Sequence, residues 1–325
     1  MRKELIGFDI GGTKCAVVLG YSDHFGATIL GRREVSTREA DSPEQMVDIL
    51  CELAKEMVQT HGLHPEAVGI SCGGPLDSKS GIILSPPNLP GWDRIPITNW
   101  IKEKMGIPAY LQNDANAGAL AEWRYGAGRG CDNIIFITFG TGCGAGLILN
   151  GKLYAGTNDM AGECGHVRLS DYGPVGYGKA GSMEGFCSGS GIAQLAVLFI
   201  REAVQLGVST PICEAYSAGE EITAKLVAAA ARSDDPVAIK VFQSAGEQLG
   251  RALAILVDIL NPQRIVIGSV FTRCYDLLWP AALPYLKREA LERSCHVCEV
   301  VPAELSEAIG DYAALCVADY GSSTN

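Results

Sequence analysis

Short apolar runs alternate with glycine turns and with longer amphipathic segments along the whole chain. Residues 5–10 and 15–19 are apolar and flank Gly11 and Gly12, which predicts two strands joined by a tight turn. Apolar residues at helical spacing follow the polar cap Ser42 and Pro43, which predicts a helix that Gly62 ends.

The strand–glycine turn–strand pattern occurs a second time, at residues 134–149, around Gly140, Gly142 and Gly144. This repetition predicts an α/β fold of two related lobes, each a mixed sheet with helices, and a ligand cleft between them. Helical periodicity also predicts helices at about 189–206, 220–232, 236–260, 275–290 and 308–320.

Composition excludes several classes of protein. The 325 residues are 47% hydrophobic and 19% charged, which excludes an intrinsically disordered chain. The net charge of −11 argues against a nucleic-acid partner. The 12 cysteines fall within apolar segments and indicate reduced thiols, and we see neither a signal peptide nor an apolar run long enough for a bilayer. We therefore expect a cytoplasmic protein with no membrane contact.

The first glycine turn has the composition of a phosphate-binding loop. Gly11 and Gly12 allow backbone N–H groups to approach a phosphate, Thr13 and Lys14 add donors, and Asp9 offers a carboxylate for Mg²⁺. An ordinary hairpin turn would have the same appearance in sequence.

The second glycine turn matches a dinucleotide fingerprint in form only, because a strand follows Gly144 where that fingerprint requires a helix. A hairpin whose amides face a nucleotide phosphate fits better. Gly173–Ala180 resembles a P-loop, but Ala180 stands where Mg²⁺ needs Ser or Thr, and no buried strand precedes it. We therefore reject the P-loop interpretation.

Several polar residues are candidates for binding a polyhydroxylated ligand. Asn113 and Asp114 follow a predicted strand, where Asp114 could act as a general base or only cap the next helix. Glu163, His166 and Glu184 could surround the same ligand. Alternatively, His166 could be a structural histidine and Glu184 a first-turn residue that the helix dipole favours. The lone Cys-X-X-Cys at 295–298 is predicted to open a strand and to be structural.

These motifs together resemble the ROK family of repressors and sugar kinases. The resemblance rests on Asp9–Thr13, Gly73–Asp77, Asn88–Trp92, Asn113–Asn116, Phe139–Gly146, Gly162–His166, Glu184 before Ser188, and Ile265–Gly268. It implies an actin-like, hexokinase-like ATPase fold with lobes at 1–115 plus 303–325 and at 116–302. It also implies transfer of the ATP γ-phosphoryl group to a hydroxyl of a hexose or hexose derivative, as in glucokinases.

The resemblance also implies roles for individual residues. Asp114 resembles the general base. The sugar-binding positions correspond to Gly74, Asn88, Asn113, Asp114, Glu163, His166 and Glu184. The ATP-binding positions correspond to Asp9, Gly11, Gly12, Thr13, Lys14, Thr141, Gly142, Gly144 and Gly268, with Asp9 holding Mg²⁺ through ATP. Ser269 departs from the Gly-Gly often found at 268–269.

Two other functions within the same resemblance stay open: a sugar-sensing repressor and a sugar-binding protein that has lost catalysis. We expect neither, because the first predicted strand starts at Leu5 with no helix-turn-helix before it, and because Asp114 and both glycine turns are present. The expected partner is a hexose-type small molecule, and the resemblance implies a homodimer.

Many relatives carry a structural zinc site that this chain is predicted to lack. The three cysteines of their cluster correspond to Val175, Tyr177 and Ser182, which supply no thiolate. His166, the fourth ligand in those relatives, cannot hold structural zinc alone. Cys164 and Cys187 are nearby in sequence but occupy no family ligand position.

Overall fold

The structure is a computed structural model that describes residues 2–23 and 26–324. The strands are β1 Lys3–Ile10, β2 Lys14–Asp23, β3 Gly26–Ser36, β4 Ala67–Cys72, β5 Leu76–Asp77, β6 Ile82–Ile83, β7 Ala109–Asn113, β8 Ile134–Phe139, β9 Cys143–Leu149, β10 Lys152–Leu153, β11 Val175–Gly176, β12 Lys179–Ala180, β13 Arg264–Ser269 and β14 Glu299–Pro302. The helices are α1 Pro43–His61, α2 Ile97–Met105, α3 Asp114–Tyr125, α4 Met183–Cys187, α5 Gly189–Gln205, α6 Pro211–Ser217, α7 Ala224–Arg232, α8 Pro236–Leu260, α9 Val270–Arg273, α10 Tyr275–Glu289, α11 Glu292–Val297 and α12 Ile309–Thr324. Short 3₁₀ turns occupy Thr37–Glu39, Cys164–His166 and Ser306–Ala308.

Two five-stranded sheets share one strand order. The first has the order β3-β2-β1-β4-β7, in which β1 is antiparallel to β2 and parallel to β4. The second has the order β10-β9-β8-β13-β14, in which β13 is parallel to both β8 and β14. The predicted α/β fold with mixed sheets is confirmed, and the repeated order explains why the glycine-turn pattern occurs twice.

Helix α1 shows how local sequence builds the first core. The Ser42 side chain accepts a hydrogen bond from Gln45 N, and Gly62 closes the helix at a φ of 63°. Leu50 and other apolar residues at helical spacing are fully buried. Each such leucine contributes roughly 1.5–3 kcal/mol to folding. The predicted helix is therefore confirmed at both ends.

Helix α12 lies against the first sheet at close range. A Cβ at Gly69 would lie 2.1 Å from Ala314 O, and one at Gly7 would lie 2.7 Å from Ala314 Cβ. Only glycine in the strands and alanine in the helix allow such an approach. The C-terminal helix is thereby fixed to β1 and β4, which carry Asp9 and lead to Gly73.

The chain forms two compact units. The first contains Met1–Asp132, Gly146–Ala161 and Glu304–Asn325, and the second contains Asn133–Ala145 and Gly162–Ala303. The first unit contains all of α3, whereas the predicted boundary falls after residue 115, and it also contains Gly146–Ala161, which was predicted in the second lobe. The helix stays whole in the first unit because it packs along α12.

The sequence did not predict three of the helices, namely α6, α9 and α11. The last of them corrects our interpretation of the Cys-X-X-Cys motif. Cys295 lies in the last turn of α11 and Cys298 follows that helix, so the motif closes a helix instead of opening a strand. Apolar spacing cannot reveal a six-residue helix, because it covers fewer than two turns. In the part of the chain described, no helix is both long and apolar enough to cross a bilayer.

Glu122 is a fully buried carboxylate near the C-terminal end of α3. Its Oε2 accepts hydrogen bonds from Ala127 N at 2.8 Å and Glu304 N at 3.3 Å, and its Oε1 accepts one from Leu305 N at 2.9 Å. These bonds hold residues 304–305, where the chain re-enters the first unit, against the helix that begins with Asp114.

Replacing Glu122 by Gln should destabilise the protein although the side chains have the same size. One acceptor oxygen becomes an NH₂ group that faces backbone donors, and leaving a buried donor unpaired costs about 1–3 kcal/mol. Urea unfolding of Glu122→Gln should show that loss. Glu304→Gln is the matched control, since it breaks only the exposed ion pair with Arg129 and should cost well under about 1 kcal/mol. Equal stability of the two variants would contradict this role of Glu122.

Candidate functional site

The first glycine turn joins β1 to β2 and is held by its own neighbours. Gly11 N donates to Lys14 O at 3.1 Å, and Thr37 Oγ1 donates to Gly11 O at 2.9 Å. A Cβ at Gly12 would lie 2.4 Å from Asn88 O. Glycine is therefore required at position 12 by packing against the Asn88 backbone, a reason that the sequence did not suggest. Thr13 stays exposed at the tip of the turn.

Asp9 lies at the end of β1 among other carboxylates. Burial raises its pKa from 3.8 to about 6, and the negative charges of Asp311 and Asp114 add to the effect. Arg32 and Lys14 act in the opposite direction, but Arg32 is engaged with Asp311 at 2.9 Å. The site concentrates negative charge that a divalent cation would neutralise.

Asp9→Asn should stabilise the magnesium-free protein at neutral and alkaline pH. A carboxyl group whose pKa is raised on folding destabilises the folded protein progressively as the pH rises from the unfolded-state pKa to the folded-state pKa. For Asp9 this range runs from 3.8 to about 6. At about pH 8 the substitution should therefore raise the free energy of unfolding by at most about 3 kcal/mol, and at about pH 4 the gain should vanish. Urea unfolding of the wild type and the variant at the two pH values measures this difference in the free energy of unfolding. A gain independent of pH would contradict the charge argument.

Asn113 and Asp114 stand at the junction of β7 and α3. The structure makes Asn113 the N-cap, because its side chain accepts a hydrogen bond from Ala115 N at 2.9 Å. Asp114 Oδ1 also accepts from Ala115 N, at 2.8 Å, while the residue stays exposed. Desolvation by the surrounding protein raises the pKa of Asp114. An accessible carboxylate with a raised pKa is suited to accept a proton.

Three predicted sugar-binding residues lie together in the first unit. A Cβ at Gly74 would lie 3.1 Å from Asn113 Nδ2, and one at Gly73 would lie 3.3 Å from Asn88 Oδ1. Asn88 also packs on Gly12 through its backbone. The segments with Gly12, Gly74, Asn88 and Asn113 are therefore contiguous, as the predicted sugar and phosphate positions require.

The second glycine turn, residues 140–142, joins β8 to β9 at the start of α5. Gly189 N donates to Gly140 O at 2.9 Å, and Ser190 Oγ donates to Thr141 O at 2.6 Å. A Cβ at Gly140 would meet no atom within 4 Å, so the turn faces open space there. Beyond the turn, Gly144 lies half-exposed within β9.

Glu184 connects the second turn to the predicted sugar residues of the second unit. Its Oε2 accepts a hydrogen bond from Cys143 N at 2.9 Å and would lie 2.9 Å from a Cβ at Gly142. Cys143 in turn approaches the segment of Glu163 and His166, since a Cβ at Gly165 would lie 3.1 Å from Cys143 Sγ. Thus Thr141, Gly142 and Glu184 lie together, with the 163–166 segment adjacent.

The cysteines near His166 are enclosed thiols. A hydrogen bond with the Cys164 thiol, together with burial, raises the pKa of Cys143, and burial raises that of Cys187. Cys187 Sγ lies 3.9 Å from Ala245 O, to which it donates. Across residues 2–23 and 26–324, no group of three His, Cys, Asp or Glu side chains is arranged to hold a metal ion.

The loop that corresponds to the zinc cluster is closed by hydrogen bonds. Leu169 N and Ser170 N donate to Gly181 O, and Arg168 Nη1 donates to Ala180 O at 2.9 Å. These bonds link the two ends of the loop, and the absence of a structural zinc stays a prediction.

Metal analysis of protein purified without chelator or metal-affinity resin tests that prediction. We expect far less than one zinc per chain, because tetrahedral structural sites need four ligands and, of the four family ligand positions, only His166 carries a ligand here. Zinc near one equivalent per chain that disappears in His166→Ala would contradict it.

Gly268 lies at the end of β13, beside the strand that leads to the second turn. Gly268 pairs with Thr138 of β8, and the Ser269 and Thr138 hydroxyls are 3.1 Å apart. Ser269 has a φ of 57°, in the region that favours glycine. The serine at this position therefore costs conformational free energy that the glycine often found there would not.

The residues present fit ATP and Mg²⁺. Hard divalent cations prefer carboxylate oxygen, and the charged form of Asp9 is destabilised by burial and by the neighbouring carboxylates of Asp311 and Asp114. Phosphate oxygens need backbone N–H groups without obstruction by side chains, and the open space at Gly140 leaves such an approach free.

Comparisons with known proteins agree with this arrangement. Residues 5–318 match the model of the ROK family. The glucokinase of Thermotoga maritima is 32% identical over 279 residues, which cover 86% of this chain and 85% of that protein. A ROK family glucokinase from Streptomyces griseus, solved with glucose and AMPPNP, is 32% identical over 97% of this chain and 99% of its own, with a TM-score of 0.74. A ROK family transcriptional regulator, described as a homologue of the E. coli MLC protein, has a TM-score of 0.82 and 25% identity over 97% of this chain and 77% of its own.

Proposed function

This chain belongs to the ROK family and has the actin-like α/β fold of its hexokinases, and on that premise we propose that it is an ATP-dependent sugar kinase. The proposed acceptor is a hydroxyl of a hexose or hexose derivative, with glucose the first candidate. The observation that carries the proposal is Asp114: an accessible carboxylate of raised pKa at the first turn of α3, beside the Asn113, Gly74 and Asn88 group.

Asp114 is the proposed general base. It would accept the proton of the acceptor hydroxyl as that oxygen attacks the γ-phosphorus, while its bond to Ala115 N holds the carboxylate in place. Raised basicity favours this role, because a carboxylate of ordinary pKa binds a proton weakly near neutral pH.

The remaining polar residues would orient the two substrates. Asn88, Asn113, Glu163, His166 and Glu184 offer both donors and acceptors for sugar hydroxyls. The turns at Gly11–Gly12 and 140–142 would hold the phosphates, with Asp9 toward Mg²⁺. Bound Mg-ATP supplies the phosphoryl group and the neutralisation of its charge, and the protein contributes positioning.

A panel of hexoses tests the proposal. The protein is mixed with Mg-ATP and glucose, mannose, fructose, allose, N-acetylhexosamines or a β-glucoside in turn, and ADP release is followed. We expect release that depends on at least one sugar. Release without any sugar, or none with the whole panel, would contradict kinase activity.

A sugar-sensing regulator is the second candidate, because the ROK regulator structure superposes on this chain. The net charge of −11 is unfavourable for DNA, whose phosphates demand a basic surface. Sugar binding by calorimetry without ADP release would favour a regulator or a non-catalytic binding protein over a kinase.

A further inference from the structure

A small hairpin of the second unit lies against two predicted sugar-binding residues. Val175 pairs with Ala180 and Gly176 with Lys179, which leaves Tyr177 and Gly178 as a two-residue turn. A Cβ at Gly176 would lie 2.7 Å from Glu184 Cβ, so β11 packs directly on the helix that carries Glu184.

The other side of the hairpin tip contacts His166. The ring of Tyr177 stands edge-on to the imidazole, with ring centroids 6.5 Å apart and an interplanar angle of 77°. Lys179 Nζ donates to His166 O at 2.7 Å. The hairpin base is fixed as well, because the Gln194 amide bonds both N and O of Val175 at 3.0 Å.

The backbone geometry of the turn does not favour a tyrosine at this position. Both turn residues have positive φ, 42° at Tyr177 and 76° at Gly178. Such two-residue turns strongly favour Asn-Gly, and a bulky side chain at positive φ is strained. Burial does not offset the strain, because Tyr177 is 78% exposed. Strained, exposed aromatic residues beside polar site residues point to a ligand.

We propose that Tyr177 is a specificity-determining residue of the sugar site, whose ring packs against the carbon–hydrogen face of the hexose held by His166 and Glu184. This inference rests on the proposed function, since it takes His166 and Glu184 as sugar contacts. The apolar face of an aromatic ring matches the apolar carbon–hydrogen face of a pyranose. No other aromatic ring contacts the His166 ring among the described residues.

Tyr177→Asn separates function from folding. Asparagine suits the turn, so the variant should unfold at the same or a higher temperature than the wild type. Loss of the ring contact should raise the KM for the preferred sugar about tenfold, while kcat changes less than about twofold. Tyr177→Phe keeps the ring and should retain the wild-type KM. Tyr172→Asn is the matched control, because Tyr172 belongs to the same loop and is 86% exposed. The KM of this variant should equal that of the wild type.

A spectroscopic measurement gives a readout besides activity. In protein labelled with 3-fluorotyrosine, the ¹⁹F signal absent from Tyr177→Phe belongs to Tyr177. Sugar added without ATP should shift this signal and leave that of Tyr172 unchanged. If sugar is bound and phosphorylated but Tyr177→Asn has a normal KM and the signal does not move, the Tyr177 proposal is overturned and the kinase proposal stands. If the wild type neither binds nor phosphorylates any sugar of the panel, both fall.

Discussion

Asp114→Asn should reduce kcat by about 10²–10⁴-fold, the usual effect of losing a general base. The amide keeps the shape of the carboxylate and its Oδ1 can still accept from Ala115 N, so α3 should begin unchanged. The substitution removes the ability to take a proton together with the negative charge that acts on Asp9. The affinity for sugar, measured by calorimetry, should therefore stay close to that of the wild type.

The matched control for this substitution is Asp276→Asn. Asp276 is an exposed carboxylate that pairs with Arg232 and takes no part in the proposed site. Its loss should leave kcat within about twofold, as expected for a surface position. If kcat of Asp114→Asn is close to that of the wild type, as is expected for Asp276→Asn, then Asp114 is not the general base.

Gly140→Val should weaken ATP binding by about 10–100-fold, which corresponds to losing one or two charge-assisted hydrogen bonds to phosphate. A Cβ at position 140 would meet no atom within 4 Å, so we expect the variant to fold, which its unfolding temperature checks. The added side chain would occupy only the space that we assign to the nucleotide. Equilibrium binding of Mg-ATP, with tryptophan fluorescence reporting sugar affinity, measures the effect.

Gly12→Val and Gly142→Val provide the contrast. A side chain at Gly12 would meet Asn88 O, and one at Gly142 would meet Glu184 Oε2, so both variants should lose sugar affinity as well as ATP affinity. If Gly140→Val binds ATP normally in a folded protein, the second turn is a simple connection between strands.

Local signals were sufficient for much of the fold. Ser42, Pro43 and Gly62 determine α1 through bonds within a few residues, and the repeated glycine turns reveal two sheets of equal strand order. Short elements were missed, because a helix such as α11 is too brief to show a period. The extent of α3 in the first unit depends on its packing with α12, almost 200 residues later in the chain.

The residues of the candidate site also divide into those that the sequence could identify and those that only the structure reveals. Residues in sequence motifs, such as Asp9, Asn113 and Asp114, could be named from their position after a strand. Asp311 could not, since it reaches the surroundings of Asp9 only through the packing of α12. Tyr177 was counted as a missing zinc ligand, and its contact with His166 depends on a hairpin that the sequence did not reveal.

The most direct test of the central claim is a phosphorus balance. Wild-type protein, Mg-ATP and the best sugar of the panel are followed by ³¹P NMR. The account predicts that ADP and a sugar phosphate monoester appear in equal amounts, with no inorganic phosphate, and that neither appears without sugar or with Asp114→Asn on the same time scale. ADP accompanied by inorganic phosphate alone, or a bound sugar that is never phosphorylated, would contradict it.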